Sequence, residues 1–496
     1  MKLTRQRILV AVAGVLLTGC AVGPDYKRAE ATAIMPGAYA GATNQWKVAE
    51  PQAGRPKGNW WEMFGDAELN RLETNAAAAN QQLKAAVAAF DQARALTDVS
   101  RAGLFPHFDF SPSATREGDS FNRPINGKVA GKSQTFSFNT FTAPIDLTYE
   151  VDLWGRVRRS VESARSQEQA SLDDLETVKL GIQAEVATDY FTLHALDAQT
   201  ALLRTDIEVF QKSLELTQNR RNGGVATDLD VAEAETVLKT TQAELPGTLL
   251  QRAQFEHALA VLTGQPASTF SVSERLLEIA PPIIPPGLPS ALLERRPDVS
   301  AAERRMAAAN ASIGVAKAAF FPTILINGMG GFESLNAGTV FNWQSRFWSL
   351  GPSLTLPLFE GGQNVANLRA ARAAYDGSVA NYRQSVLTAF AEVEDNLAGQ
   401  NFLSRQYDAE DAALGAARKQ LEIANNRYKA GLVTYLDVAI AQNTELGIES
   451  ATVQLRGQQL AAAVALVKSL GGGWQNPFVA AQSSRPADPF VTRKSD

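Results

Sequence analysis

The 496-residue sequence holds one cysteine, three histidines and five methionines. A single thiol, Cys20, excludes an intrachain disulfide. His107, His194 and His257 stand apart, without metal-ligand spacing or neighbouring paired acids, so each reads as an ordinary strand or helix residue. The methionines, at positions 1, 35, 63, 306 and 329, form no cluster of soft ligands, which disfavours copper or silver as cargo. Positive charge is not in excess: the net charge is -5, the pI is near 5.6, and there is no basic tail or stripe, so nucleic acid is not expected as a partner. A phosphate loop is only half present. Asn126 to Ser133 ends in Gly131-Lys132-Ser133, but it starts on Asn and runs into an alternating strand pattern rather than a helix. No nucleophile or metal set remains, so neither an enzyme nor a cofactor is expected.

Hydrophobic residues make up 45% and charged residues 20%, the balance of a folded protein. Residues 1–19 read as an export signal, with Lys2, Arg5 and Arg7 ahead of an apolar run, Ile8 to Leu17, too short to span a bilayer as a helix. Leu17-Thr18-Gly19-Cys20 follows and resembles the bacterial lipobox. That resemblance implies that Cys20 carries a covalent lipid as the first residue of the mature chain and, with Ala21 rather than Asp next, is sorted to the outer membrane.

The chain repeats itself. Gly224-Val225-Ala226-Thr227-Asp228-Leu229-Asp230-Val231 and Gly431-Leu432-Val433-Thr434-Tyr435-Leu436-Asp437-Val438 share Gly, Thr, Leu, Asp and Val at an offset of 207 residues. Each lies between two long helical patterns, with apolar steps at Leu203, Ile207, Phe210 and Leu214 in one and at Val379, Tyr382, Val386, Ala389 and Val393 in the other. The first rods, from Arg156 to about Arg221 and from about Gln363 to Lys429, would be roughly 100 Å long. Pro246-Gly247 predicts a kink in the first return helix.

Strand patterns precede each rod. Phe108 and Phe110 alternate with polar residues, and Thr135 to Val151 alternates with a phase change that predicts a bulge or two differently exposed halves. In the second copy Trp348, Leu350, Leu354, Leu356 and Leu358 face one way and Ser349, Gly351, Ser353 and Thr355 the other, which suits a wall between lipid and water. The expected division is a signal at 1–19, a lipidated strap at 20–65, a first repeat at 66–264 and a second at 298–472, separated by a Pro-rich linker at 265–297 and followed by a tail at 473–496. The first repeat places a helix from Asp66 to Arg101, strands at about 105–118 and 134–152, and a tip at 222–230. The second places strands at about 321–332 and 345–359 and a tip at 429–437.

Four segments then resemble one family: Leu17 to Tyr26, Leu292-Leu293-Glu294-Arg295-Arg296-Pro297-Asp298-Val299 with Ala302-Glu303, Ile313 to Lys317 running up to Phe321-Pro322, and Arg427 to Val438. With Asp152-Leu153-Trp154-Gly155, they are similar to the TolC-like outer-membrane factors of tripartite efflux systems, in the lipoprotein branch with NodT-type proteins. The resemblance implies an α+β fold, internally duplicated, with long helical hairpins building a periplasmic α-barrel tunnel. Four strands per chain would complete a 12-stranded β-barrel in a homotrimer. It implies a passive exit duct served by a periplasmic adaptor and an inner-membrane pump of the resistance-nodulation-division (RND) type, set in outer-membrane lipid. A lipid-anchored adaptor or scaffold, or the duct of a type I protein secretion system, are the alternatives.

By motif position Tyr428 and Asp437 carry over to the periplasmic aperture. The family's Arg two residues after the tip glycine is Val433 here and its second aspartate is Ile440, so Asp230 and Glu233 complete the candidate anionic constriction. Gly224, Thr227, Gly431 and Thr434 are the candidate adaptor contacts. The cargo is left open among drugs, solvents, aromatic acids and oligosaccharides.

Overall fold

A computed structural model describes residues 21–31, 59–118, 137–276, 279–282, 284 and 296–472. The signal, Cys20, the phosphate-loop-like stretch and the tail fall outside those residues. The chain divides into two units, one drawn from Met1–Ala29, Asp91–Ala170 and Glu303–Asn381, the other from Glu30–Phe90, Ser171–Ala302 and Tyr382–Asp496.

The first unit carries the described strands, in one antiparallel sheet: β1 (His107–Phe110), β2 (Ser113–Gly118), β3 (Ser137–Glu150), β4 (Thr323–Ser334) and β5 (Arg346–Thr355). β1 and β2 share one edge of β3, which pairs β4, which pairs β5. The strand expected at 105–118 is therefore one strand broken at Ser111-Pro112, where Pro112 offers no N–H to the ladder. Pro144 stands on β3 beside this gap, and its carbonyl accepts a 3.3 Å bond from the Ser111 N–H. The expected bulge is absent. Pairing runs in one register from Gly118 opposite Ser137 to His107 opposite Thr148, so Phe138 and Phe141 differ because they lie on opposite faces. β4 extends to Ser334, beyond the expected 332, and β5 stops at Thr355, leaving Leu356 and Leu358 exposed past the strand.

Register sorts the side chains. Phe110, Ile145, Gly330 and Trp348 form one cross-strand row, and Phe108, Leu147, Gly328 and Leu350 the next, all on one face. Asp109, Asp146, Met329 and Ser349 form a row on the other. Phe108, Phe110, Ile145, Trp348, Leu350 and Leu354 are all exposed. One face thus presents a mainly apolar surface, while the other carries acids and hydroxyls beside Met329 and Phe347. Gly331 is required by close packing, since a Cβ there would sit 2.7 Å from Pro144 Cα and closer still to the Ala143 carbonyl oxygen. Gly331→Ala is expected to cost about 1–3 kcal/mol, read as a lower midpoint of thermal unfolding.

Four strands join helices at the same end of the sheet: β1 follows α2 (Gln81–Ala102), β3 leads into α3 (Arg156–Asn222), β4 follows α5 (Pro297–Ala318) and β5 leads toward α6 (Gln363–Lys429). The rods α3 and α6 each have 67 residues, and the return helices α4 (Asp228–Leu262) and α7 (Tyr435–Ser469) each have 35. Each bound of the second pair lies at the 207-residue offset of the sequence repeat. Pro246 sits inside an uninterrupted α4.

In the second unit the helix expected from Asp66 to Arg101 is broken at Asn80, between α1 (Ala67–Ala79) and α2. The Asn80 side chain accepts from the Leu83 N–H at 3.0 Å and donates to the Leu262 carbonyl at 2.9 Å, so a new helix start is capped where the old one ends. His194, expected to be isolated, is buried with its Nδ1 2.9 Å from Asp197, which also receives the Arg252 guanidinium at 2.5 Å. The partner is three residues along the same helix, a spacing that brings side chains together.

Candidate functional site at the paired hairpin tips

Both tips close in the same way. Gly224 and Gly431 take φ of +75° and +71°, a left-handed conformation that favours glycine. After α3 the Val225 N–H donates to the Arg220 carbonyl at 2.8 Å, and after α6 the Leu432 N–H donates to the Arg427 carbonyl at 2.9 Å. These are the wide bonds of Schellman caps. Gly224, Thr227, Gly431 and Thr434, the candidate adaptor contacts, are all exposed at the turns, beside exposed Val225, Leu229, Leu432 and Leu436.

The starts of the return helices differ. Thr227 caps α4 in a reciprocal capping box: its Oγ1 accepts from the Asp230 N–H at 3.2 Å, while its own N–H and hydroxyl both donate to Asp230 Oδ2 at 2.7 Å. Thr434, its counterpart, makes no side-chain cap. The first residue of α7 is served from the other hairpin instead, its Tyr435 N–H donating to Asp230 Oδ1 at 3.0 Å. One buried carboxylate therefore stabilises the starts of two helices and ties hairpin to hairpin. Burial pushes the Asp230 carboxyl up, but the hydrogen bonds from Thr227 and Tyr435 and the nearby Arg220 charge outweigh it and hold the group below its ordinary value.

Tyr428 lies buried at the end of α6. Its ring packs edge-on against Tyr435 with centroids 5.5 Å apart, and the Arg220 guanidinium sits 4.6 Å over its face. Arg220 also reaches the Lys429 carbonyl at 3.3 Å. The arginine missing at Val433 is thus matched by one on the first hairpin, while Val433 itself packs against the apolar tip core. Tyr435, Ser213 and Thr217, which sequence reasoning passed over, complete the cluster: Ser213 Oγ lies 3.1 Å from the Tyr435 hydroxyl, and Tyr428 donates to Thr217 at 3.4 Å.

The four candidate aperture residues are therefore not equivalent. Asp230 and Tyr428 are spent within the tip, Glu233 is half-buried, and Asp437 is exposed, as is Ile440. The Glu233 carboxyl is raised by burial and by the Asp230 charge one helical turn away. Arg221 turns instead to Asp228 at 2.7 Å.

A sheet with one predominantly apolar face, together with two 67-residue helices ending in acid-bearing tips, defines a hairpin-built membrane channel protein. The chain belongs to the outer membrane efflux protein family, whose pattern matches residues 72–265 and 288–472. It is 34% identical to the outer membrane protein OprJ of Pseudomonas aeruginosa over 92% of this chain and 94% of that protein. It is 33% identical to the pyoverdine export outer membrane protein OpmQ of the same species, over 88% and 92%. Among solved structures it is similar to the outer-membrane channel OprN (TM-score 0.84, 30% identity, 92% of this chain and 100% of that one). It is also similar to the Campylobacter jejuni CmeC channel (TM-score 0.85, 26% identity, 94% and 98%). The protein is an outer-membrane efflux channel.

Proposed function

We propose that three copies of this chain form one duct, each giving four strands to a 12-stranded barrel and an internally duplicated pair of hairpins to a periplasmic tunnel. The observation that carries this reading is the sheet with two open edges. β1–β2 and β5 each pair on one side only among the described strands, and bacterial barrels close with about eight strands or more, so open edges in lipid need other copies. The duct has no catalytic step and no cofactor. Cys20 carries the lipid anchor. A periplasmic adaptor docks on the turns at Gly224, Thr227, Gly431 and Thr434, and an inner-membrane pump of the RND type supplies the cargo.

Opening at the tips is resisted by the Asp230 and Tyr428 contacts within each chain, and Asp437 with Glu233 faces the aperture as its anionic lining. Planar-bilayer recordings test this. An Asp437→Asn, Glu233→Gln variant is expected to lose roughly half or more of the cation preference and the block by divalent cations. Selectivity equal to wild type would remove the aperture role, and a soluble elongated monomer would remove the duct.

A further inference from the structure

We infer that Arg116 and Arg346 form a phosphate-binding collar for the saccharolipid of the membrane's outer leaflet. The inference rests on the reading that the apolar face of the sheet meets lipid. Register places both arginines on that face, Arg346 opposite Phe332 and Arg116 opposite Asn139. Each ends an apolar row. On β5 the outward residues run Leu354, Leu350, Trp348 and then Arg346; on the β1–β2 edge they run Phe108, Phe110, Ala114 and then Arg116. In both rows the arginine stands eight residues from the first apolar side chain. That is ~26 Å of strand, comparable with the ~25 Å lipid-facing band of outer-membrane barrels. Strand tilt shortens the span, and the long arginine side chain extends it outward.

The two ends of the sheet treat arginine differently. Where the strands meet the helices, Arg156 pairs with Glu150 at 2.5 Å and Arg158 with Asp152 at 3.2 Å. At the far end neither Arg116 nor Arg346 has a carboxylate partner among the described residues. The Arg346 guanidinium instead lies 3.7 Å over the ring of exposed Trp343. That contact orients the guanidinium while leaving its N–H donors open, and a tryptophan at this level suits the headgroup boundary. A cation at the edge of hydrocarbon, with no carboxylate partner among the described residues, calls for an anion, and the planar donor fork matches phosphate oxygens. The outer leaflet of an outer membrane presents phosphorylated sugars directly above acyl chains. The apolar rows receive the chains and the two arginines the phosphates.

The test uses the full-length channel purified from outer membranes and reconstituted in nanodiscs. Bisphosphorylated lipid A, its phosphate-free form and phosphatidylglycerol are titrated separately, with bound lipid counted by native mass spectrometry. Wild type is expected to hold the bisphosphorylated form about tenfold or more tightly than the phosphate-free form. Arg116→Gln with Arg346→Gln should abolish the difference, whereas the paired lysine variants keep part of it because they retain charge without the fork. Arg101→Gln, on α2 and paired with Asp98 at 3.1 Å, should leave it unchanged. Wild type without a phosphate preference, or a glutamine double variant that binds like wild type, overturns the collar. An equal preference for phosphatidylglycerol overturns the saccharolipid as its occupant. The glutamine variant should still fractionate with the outer membrane and conduct. If wild type itself is absent from that fraction, the outer-membrane reading fails instead.

Discussion

Replacing Glu73 by glutamine raises the stability of the protein, and the gain grows with pH. Glu73 lies on α1 with no exposed surface, on the same stripe as buried Leu69, Leu72 and Ala76, and neither of its oxygens has a hydrogen-bond partner among the described residues. Burial alone pushes its carboxyl up to about 9. Below the unfolded value, near 4.5, both folded and unfolded chains hold the proton and the group is neutral to stability. Between the two values the unfolded chain releases its proton and the folded chain keeps it, so stability falls as pH rises until the folded value is passed. At pH 8 the cost is roughly 5 kcal/mol. Glu73→Gln keeps the shape and cannot ionise, so its advantage should be near zero at pH 4 and close to that figure at pH 8. Glu73→Leu, which also removes the unpartnered polar atoms, should gain somewhat more. Thermal unfolding followed by tryptophan fluorescence across pH 4 to 8 measures it, and a gain that does not change with pH would refute the account.

The second large effect is at Asp230. Asp230→Ala removes the carboxylate half of the α4 capping box, leaving the Thr227 N–H without its acceptor, and also strips the acceptor from the Tyr435 N–H, two losses that together come to about 2–4 kcal/mol. The cost is local, so it is read by hydrogen exchange at the tips and by protease cleavage at Gly223 to Thr227 and at Leu432 to Thr434. The equivalent change in the second copy, Asp437→Ala, removes an exposed carboxylate and should cost only about 0.5 kcal/mol or less. Because the Asp230 value is depressed in the folded chain, its contribution is complete above the unfolded carboxylate value and is lost as pH falls through the folded one. Protection of the tip amides, corrected for the intrinsic exchange rate at each pH, should therefore fall on acidification below about pH 4 in wild type but not in Asp230→Ala. Equal effects of the two substitutions would mean that Asp230 does not tie the hairpins together.

Much of the fold was legible because its signals are local. Apolar steps of three and four along α3 and α6, the glycines at 224 and 431 and the alternation of β5 follow from backbone geometry within a few residues. The errors came where a distant residue intervenes or a single atom is missing. The break at Asn80 depends on the Leu262 carbonyl 182 residues away, and the split between β1 and β2 turns on one absent N–H. Glu73 gave a polar letter on an apolar stripe, but its lack of a partner is visible only in three dimensions.

The candidate site divides along the same line. The repeat at offset 207 determined by itself that there are two tips, where they turn and which acids lie near them, since turn chemistry is written in consecutive residues. Only the tertiary structure decided that the two aspartates at equivalent positions do different work. The carboxylate of Asp230 reaches a backbone N–H on the other hairpin and is buried by doing so, while Asp437 meets no such donor among the described residues and stays exposed. Hydrogen-bond satisfaction between segments 205 residues apart depends on where packing brings the chain, and no local pattern encodes it.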